Sequence, residues 1–282
     1  MTKSRIFTAL ALTPIILYIM YFTPYFFVSM VFLFYIIAVF EWIKLIQVNH
    51  LTKKITLLML DIFLFVLIAF LLLNSNLKIF YIQFLFIVMF FWLFFLVYLV
   101  VFYPYSIHFL KKSYLAKNFF GCLIIIPLFI SIIKLRFLHY EYDNFFGFWK
   151  LFFIFSLVWA TDSGAYFFGK FFGKHSFFKR ISPKKTLEGF IGGIISSIFI
   201  MYSFVYVFPF SINFLKFPIF YAIVIAFFST LGDLIESMFK REAQIKDSGK
   251  IFPGHGGVLD RIDSLTLSVP FFTCLTFFNE SF

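Results

Sequence analysis

Charge and cysteine are what this sequence has least of. Only 13% of its 282 residues are charged, 13 of them acidic, and there are two cysteines, 13 glycines and nine prolines. Soluble domains carry about 25% charged residues, so a soluble enzyme and a charge-rich disordered tail are both excluded. The few glycines and prolines exclude a collagen. Cys122 and Cys274 lie far apart in apolar stretches, which argues against a disulfide framework or a zinc site. No internal repeat is visible, and no Ser-His-Asp arrangement.

What remains is hydrocarbon. Apolar residues make up 62% of the chain, 52 of them Phe, and the mean hydropathy is +0.99. A transmembrane helix needs about 20 predominantly apolar residues, and the runs bounded by charge, Pro or Asn predict nine spans: roughly 6–22, 25–47, 55–73, 78–102, 118–134, 149–168, 188–208, 217–238 and 263–280. The expected fold is therefore an all-α polytopic integral membrane protein of about nine transmembrane helices. Lys3 and Arg5 precede a first run that continues past Pro14 without a clear small-residue cleavage site, as in a signal anchor. Two regions are expected: 1–147, with five spans and no catalytic motif, and 148–282, with four spans and two basic loops.

The 24 Lys and Arg orient these spans. With the amino terminus cytoplasmic, nineteen fall on the inner side: Lys3 and Arg5, Lys44 to Lys54, Lys111 to Lys117, Lys170 to Lys185, and Lys240 to Arg261. Lys78, Lys134, Arg136, Lys150 and Lys216 are left on the other side. The formal charge of +11 thus sits between apolar runs rather than in an exposed basic domain, which points to membrane topology and phosphate chemistry and away from nucleic acid. A compact chain of this kind suits a bacterial inner (cell) membrane.

Eight of the 13 carboxylates lie between Asp162 and Asp263, so the chemistry is expected in the carboxy-terminal half, at the cytoplasmic interface. Glu41 is read as snorkelling from the inner end of the second span. Asp61 is read as a helix–helix hydrogen-bonding residue or a remote part of the site. Asp162, inside an apolar helix, costs about 2.5–3.5 kcal/mol to insert; it needs a partner such as a neighbouring lysine, a wet cavity or a metal. In Ser182-Pro183-Lys184-Lys185-Thr186-Leu187-Glu188-Gly189, the lysines either anchor the membrane edge or, with the Thr186 hydroxyl and a following helix amino terminus, offer donors to a phosphate. Gly189 and Gly193 are spaced for close helix packing. Asp233, Glu236, Ser237 and Lys240 follow i, i+3, i+4, i+7 spacing and share one helix face. A glycine-rich turn, Pro253-Gly254-His255-Gly256-Gly257, can fold Asp260 and Asp263 against them. Carboxylates without cysteine suit a hard cation such as Mg2+, and the adjacent cations suit a polyphosphate. Phosphoryl or nucleotidyl transfer is the resulting expectation. The rival from another class, an ion-coupled transporter, is disfavoured because such sites lie near the midplane of repeated, broken helices.

The segment Ser237-x-x-Lys240-Arg241-x4-Lys246-Asp247-x5-Pro253-Gly254-His255-Gly256-Gly257-x-x-Asp260-Arg261-x-Asp263 resembles the signature of the CDP-diacylglycerol synthases, the phosphatidate cytidylyltransferases. Asp162-Ser-Gly-Ala-Tyr166 and Ser182 to Gly189 resemble the family too, with Leu187 where members commonly carry Trp. The likeness covers roughly residues 157–270. It implies that CTP and phosphatidate give CDP-diacylglycerol and pyrophosphate, in a homodimer among membrane lipids. It also implies Mg2+, with a monovalent cation such as K+ beside it, held at Asp233 and Asp260. The closest rival among CTP-using membrane enzymes is a polyprenol kinase.

The expected roles follow from both readings. Asp233 and Asp260 are metal ligands, with Asp263 and Asp162 supporting them or holding a second ion. Lys184, Lys185, Lys240, Arg241, Lys246 and Arg261 bind the triphosphate or the lipid phosphate, and Ser237 and Thr186 donate to phosphate oxygens. Glu236 and Glu188 orient lysines. His255 donates to the leaving pyrophosphate or braces the turn.

Overall fold

A computed structural model describes residues 14–73, 89–90, 92, 94–107, 113–208, 218–251 and 256–281. Its elements are helices α1 (Pro24–Leu45), α2 (Leu51–Leu73), α3 (Tyr114–Arg136) and α4 (Phe146–Phe172), strands β1 (Ser176–Phe178) and β2 (Ser182–Thr186), then α5 (Leu187–Val207), α6 (Pro218–Glu242), α7 (Leu259–Ile262) and α8 (Leu265–Ser281). Helices dominate because apolar backbone in lipid must satisfy its own N–H and C=O groups. The chain is an all-α polytopic membrane protein. Six described helices, α1 to α6, are long and apolar enough to cross a membrane, and α8 supplies a shorter apolar segment. About half of each of the expected spans at 6–22 and 78–102 lies outside the described residues, as do Lys3, Arg5, Lys78, Lys111, Lys112, Lys216 and His255.

Much of the Phe excess faces outward. Phe63, Phe70, Phe94 and Phe199 are all more than 60% exposed, an arrangement that would be costly in water and is ordinary against acyl chains. Inside, Tyr35, Leu99, Leu157, Ala222 and Val269 are fully buried. Helices α4 and α5 make the closest crossing. A methyl group on Gly193 would sit 2.9 Å from the Thr161 carbonyl oxygen, and one on Gly189 2.8 Å from that of Ala165, so the expected small-residue packing is present. Asp61 proves to be a helix–helix residue. Its Oδ1 accepts from Asn118 Nδ2 and Cys122 Sγ, each at 2.9 Å, and its carbonyl accepts from Tyr35 at 2.7 Å.

Polar links gather at the two ends of the bundle. At one, Gln47 Nε2 donates to the Ala243 carbonyl (2.9 Å), Tyr103 Oη to Glu242 Oε1 (3.0 Å) and Arg241 Nε to the Ile181 carbonyl (3.2 Å). At the other, the buried Arg136 guanidinium donates to the carbonyls of Met20, Tyr21 and Asn144. The chain crosses the bundle twice between Tyr103 and Ile181 (α3, α4) and twice between Ile181 and Ala243 (α5, α6). Three of the five basic segments that the charge distribution puts on one side, 44–54, 170–185 and 240–261, therefore share one end.

Two features depart from the expected outline. The loop after α4 is not irregular throughout: its second half is an antiparallel hairpin pairing Ser176 with Thr186 and Phe178 with Ser182. The expected last span at 263–280 is met by α8, and what the sequence did not show is the short helix before it. A turn at Asp263 and Ser264 separates the short α7 from α8.

Candidate active site

The hairpin positions the first cations. Along a strand successive side chains point to opposite faces, so the adjacent lysines of β2 part company. Lys184 is exposed, while Lys185 turns inward and its Nζ lies 2.6 Å from Asp233 Oδ2. Thr186 ends the strand and caps α5, its Oγ1 accepting from Gly189 N at 3.1 Å; its own proton remains available to a ligand. Glu188 does not orient a lysine side chain. It accepts from the Lys174 and His175 amides, and the His175 ring Nδ1 lies 2.6 Å from its Oε1. That fastens the start of the hairpin segment to α5.

Helix α6 supplies the next layer on one face, as its spacing predicts. Ser237 Oγ donates to Asp233 Oδ1 at 3.1 Å, so its proton is spent on a carboxylate rather than held for phosphate. Lys240 Nζ lies 3.1 Å from Glu236 Oε1 and 2.8 Å from Asp260 Oδ1. The Glu236 contact has ion-pair distance without hydrogen-bond direction. Both Glu236 oxygens are thus buried with no hydrogen-bond donor among the described residues.

The segment after α6 folds back onto this face. Asp260 Oδ2 accepts from the amides of Ser248 and Gly257, each at 2.8 Å, and lies 3.0 Å from Ser248 Oγ. Burial pushes the Asp260 carboxyl up, but Lys240 and these backbone donors outweigh it and hold it below the usual carboxylate range. Asp263 is packed among the charges of Asp233, Glu236 and Asp162. Asp162 finds hydroxyls rather than a lysine: Ser229 Oγ and Ser264 Oγ both donate to its Oδ1 at 3.2 Å. Arg241, Lys246 and Arg261 are exposed on the same segments.

The structure therefore makes two contact groups along one face of α6, Lys185–Asp233–Ser237 and Glu236–Lys240–Asp260, with Asp162 and Asp263 beside them. Lys184, Lys246 and Arg261 lie at their exposed margin. Among the described residues no three His, Cys, Asp or Glu side chains form a ready metal cage. The donor set nevertheless suits a hard cation. Five carboxylates face two inward lysines, Lys185 and Lys240, and Glu236 has no hydrogen-bond donor of its own. Three participants escaped the sequence reading. Ser229 lies one helical turn before Asp233 and Ser264 follows Asp263, so both were within reach of a spacing argument. Glu41, which is 2% exposed rather than snorkelling, gave only the signal of an acid in an apolar helix.

These features define a polytopic helical membrane protein whose carboxylates and cations meet at one end of the bundle, the arrangement of a phosphate-handling site. The chain belongs to the Cytidylyltransferase family, which matches it over residues 3–278. It is 45% identical over 186 residues to a phosphatidate cytidylyltransferase of Haemophilus influenzae, covering 64% of each chain. It is 40% identical over 146 residues to the Staphylococcus haemolyticus protein of that name (52% of this chain, 56% of the relative). For Staphylococcus aureus the figures are 44% over 129 residues, 46% of this chain and 49% of the relative. The matches thus span between about half and under two thirds of these curated relatives' length.

Proposed function

We propose that the protein transfers CMP from CTP to phosphatidate, giving CDP-diacylglycerol and pyrophosphate. The observation that carries this reading is the Lys185–Asp233 contact, which brings the basic hairpin onto the carboxylate face of α6. The names of the relatives support the same choice of substrates. A phosphate monoester has its second pKa near ~6, so the lipid phosphate is already mostly a dianion at neutral pH and needs no strong base. One of its oxygens attacks the α-phosphorus of CTP, the Pα–O bond to the β-phosphate breaks, and pyrophosphate leaves with that electron pair.

The difficulty is bringing two anions together. Lys185, Arg241 and Arg261 line the approach and bind phosphate oxygens, with Lys184 and Lys246 at the margin and the Thr186 hydroxyl donating. Lys240 keeps Asp260 and Glu236 in place. Asp233, Asp263 and Asp162 would hold Mg2+, joined by Asp260 through the oxygen now facing Lys240. When bound, that ion supplies positive charge that screens the two phosphates and stabilises the leaving group. The reading includes Mg2+ dependence, with a monovalent cation such as K+ beside it. It also includes a homodimer and a cell membrane in which this end of the bundle faces the cytoplasm, where CTP is dissolved.

The deciding experiment is a detergent-solubilised assay with phosphatidate, Mg2+ and CTP labelled at the α-phosphate. Label should enter the lipid. Lipid labelled only from the γ-phosphate would overturn the reading in favour of a kinase.

A further inference from the structure

Among the described residues of the amino-terminal half, the buried Glu41 reaches the segment that carries Asp260, and nothing in the reaction above uses it. It sits one turn from the end of α1, on a firm base. Trp42 Nε1 donates to the Lys117 carbonyl at 3.2 Å, and the Trp42 ring packs on Phe239 of α6 with centroids 4.8 Å apart. From there the Glu41 carboxylate reaches into the turn that carries Asp260. Oε1 accepts from Val258 N at 3.1 Å, Oε2 accepts from Leu259 N at 2.9 Å, and Ser248 Oγ lies 3.0 Å from Oε2. The backbone wraps it closely enough that a methyl group on Gly249 or Gly257 would collide with the carboxylate.

Glu41 and Asp260 thus divide the amides of one turn between them. Asp260 takes Ser248 N and Gly257 N, and Glu41 takes Val258 N and Leu259 N, the last belonging to the residue directly before Asp260. Ser248 Oγ stands 3.0 Å from both carboxylates. It has one proton, so it serves one of them at a time and the backbone amides carry the rest of the load. Gly257 of the motif and Gly249 in its variable stretch thus leave room, in this chain, for a carboxylate from a distant helix.

We propose that Glu41 is a positioning residue: it clamps Ser248 to residues 257–259 and through them fixes Asp260 against Lys240 and the phosphate-handling face. This rests on the functional reading above. Glu41→Gln tests it, because the new amide turns a second donor toward a backbone N–H. Gly249→Ala tests it without touching Glu41. Two measurements are made on the full-length protein in detergent. Hydrogen–deuterium exchange at residues 248–260 should speed up in both variants. The half-saturating Mg2+ concentration should rise roughly 10–100-fold, the usual effect of losing a residue that orients a ligand, with part of kcat recovered at high Mg2+. Arg136→Ala, at the opposite end, is the comparison. It should lower the melting temperature and leave Mg2+ saturation unchanged, which is how a merely structural residue behaves.

Parental exchange rates at 248–260 in both variants would overturn the clamp. Faster exchange with parental Mg2+ saturation would overturn the positioning role. Failure of the parent protein to make any CDP-diacylglycerol would instead sink the functional reading, and the exchange comparison would still decide the Glu41 contact.

Discussion

Lys185 of the hairpin and Asp233 of α6 meet at 2.6 Å with a quarter to a third of each side chain still open, 25% and 30%. The Lys240–Asp260 pair, at 2.8 Å, is almost sealed, with side chains 11% and 5% exposed. That difference separates two kinds of lysine. A half-open pair is screened by solvent and contributes about 0–1 kcal/mol, so an incoming phosphate and cation can displace it cheaply. In the sealed pair, removing one partner strands a buried charge.

Lys185→Ala should therefore leave the melting temperature nearly unchanged and reduce kcat/KM for CTP by about 100-fold or more, the scale seen when a charge-stabilising donor is removed. Lys184→Ala, on the other face of the strand, should cost about tenfold or less by the same reasoning, since it loses only distant screening. Steady-state kinetics on the two variants decide the matter. Equal losses would mean that the strand does not sort the two lysines.

Lys240→Met should damage stability as well as activity. The stranded Asp260 is expected to cost roughly 3–5 kcal/mol, read as a fall in the detergent melting temperature. A parental melting curve for this variant would contradict the burial of the pair.

Asp233→Asn and Asp260→Asn should both abolish turnover but differ in fold. Asp233 is held by one lysine and one hydroxyl, and its amide should be tolerated. Asp260 accepts two backbone amides on one oxygen and Lys240 on the other. Whichever way the Asn amide points, a donor faces a donor, at roughly 1–3 kcal/mol. Thermal shift with parallel activity measurements would show both effects, and near-normal CDP-diacylglycerol synthesis by either variant would refute its place in the site.

Single cysteines at His50, Lys184 and Tyr142 should label from two sides. The first two lie at the end where Gln47, Ile181 and Ala243 meet, and Tyr142 lies in the turn beside Asn144, which Arg136 binds at the other end. An impermeant maleimide should reach the Tyr142→Cys position in intact cells and the other two only after permeabilisation. The reverse pattern would invert the proposed orientation.

How much of this was legible varies with the range of the interaction. The i, i+3, i+4, i+7 face of α6 is a local property, and Ser237 and Lys240 meet Asp233 and Glu236 as that spacing requires. The Lys184–Lys185 pair read as a unit, because nothing in a short polar loop announces a strand; once β2 exists, the pleat parts them. Asp162 read as needing a partner, a wet cavity or a metal, and the partners are the hydroxyls of Ser229 and Ser264, two small residues that no charge count weighs.

The amino-acid order alone determined that this chain lives in a membrane and where its helices run. Those are statements about segments of some 20 residues, and a bilayer core imposes them segment by segment because each must satisfy its own backbone. Only the tertiary structure decided which carboxylates meet which cations, that a short helix and a turn at Asp263 precede the last span, and that Glu41 holds a turn 217 residues away. Such contacts depend on how helices of similar apolarity pack against one another, and hydropathy does not distinguish one such packing from another.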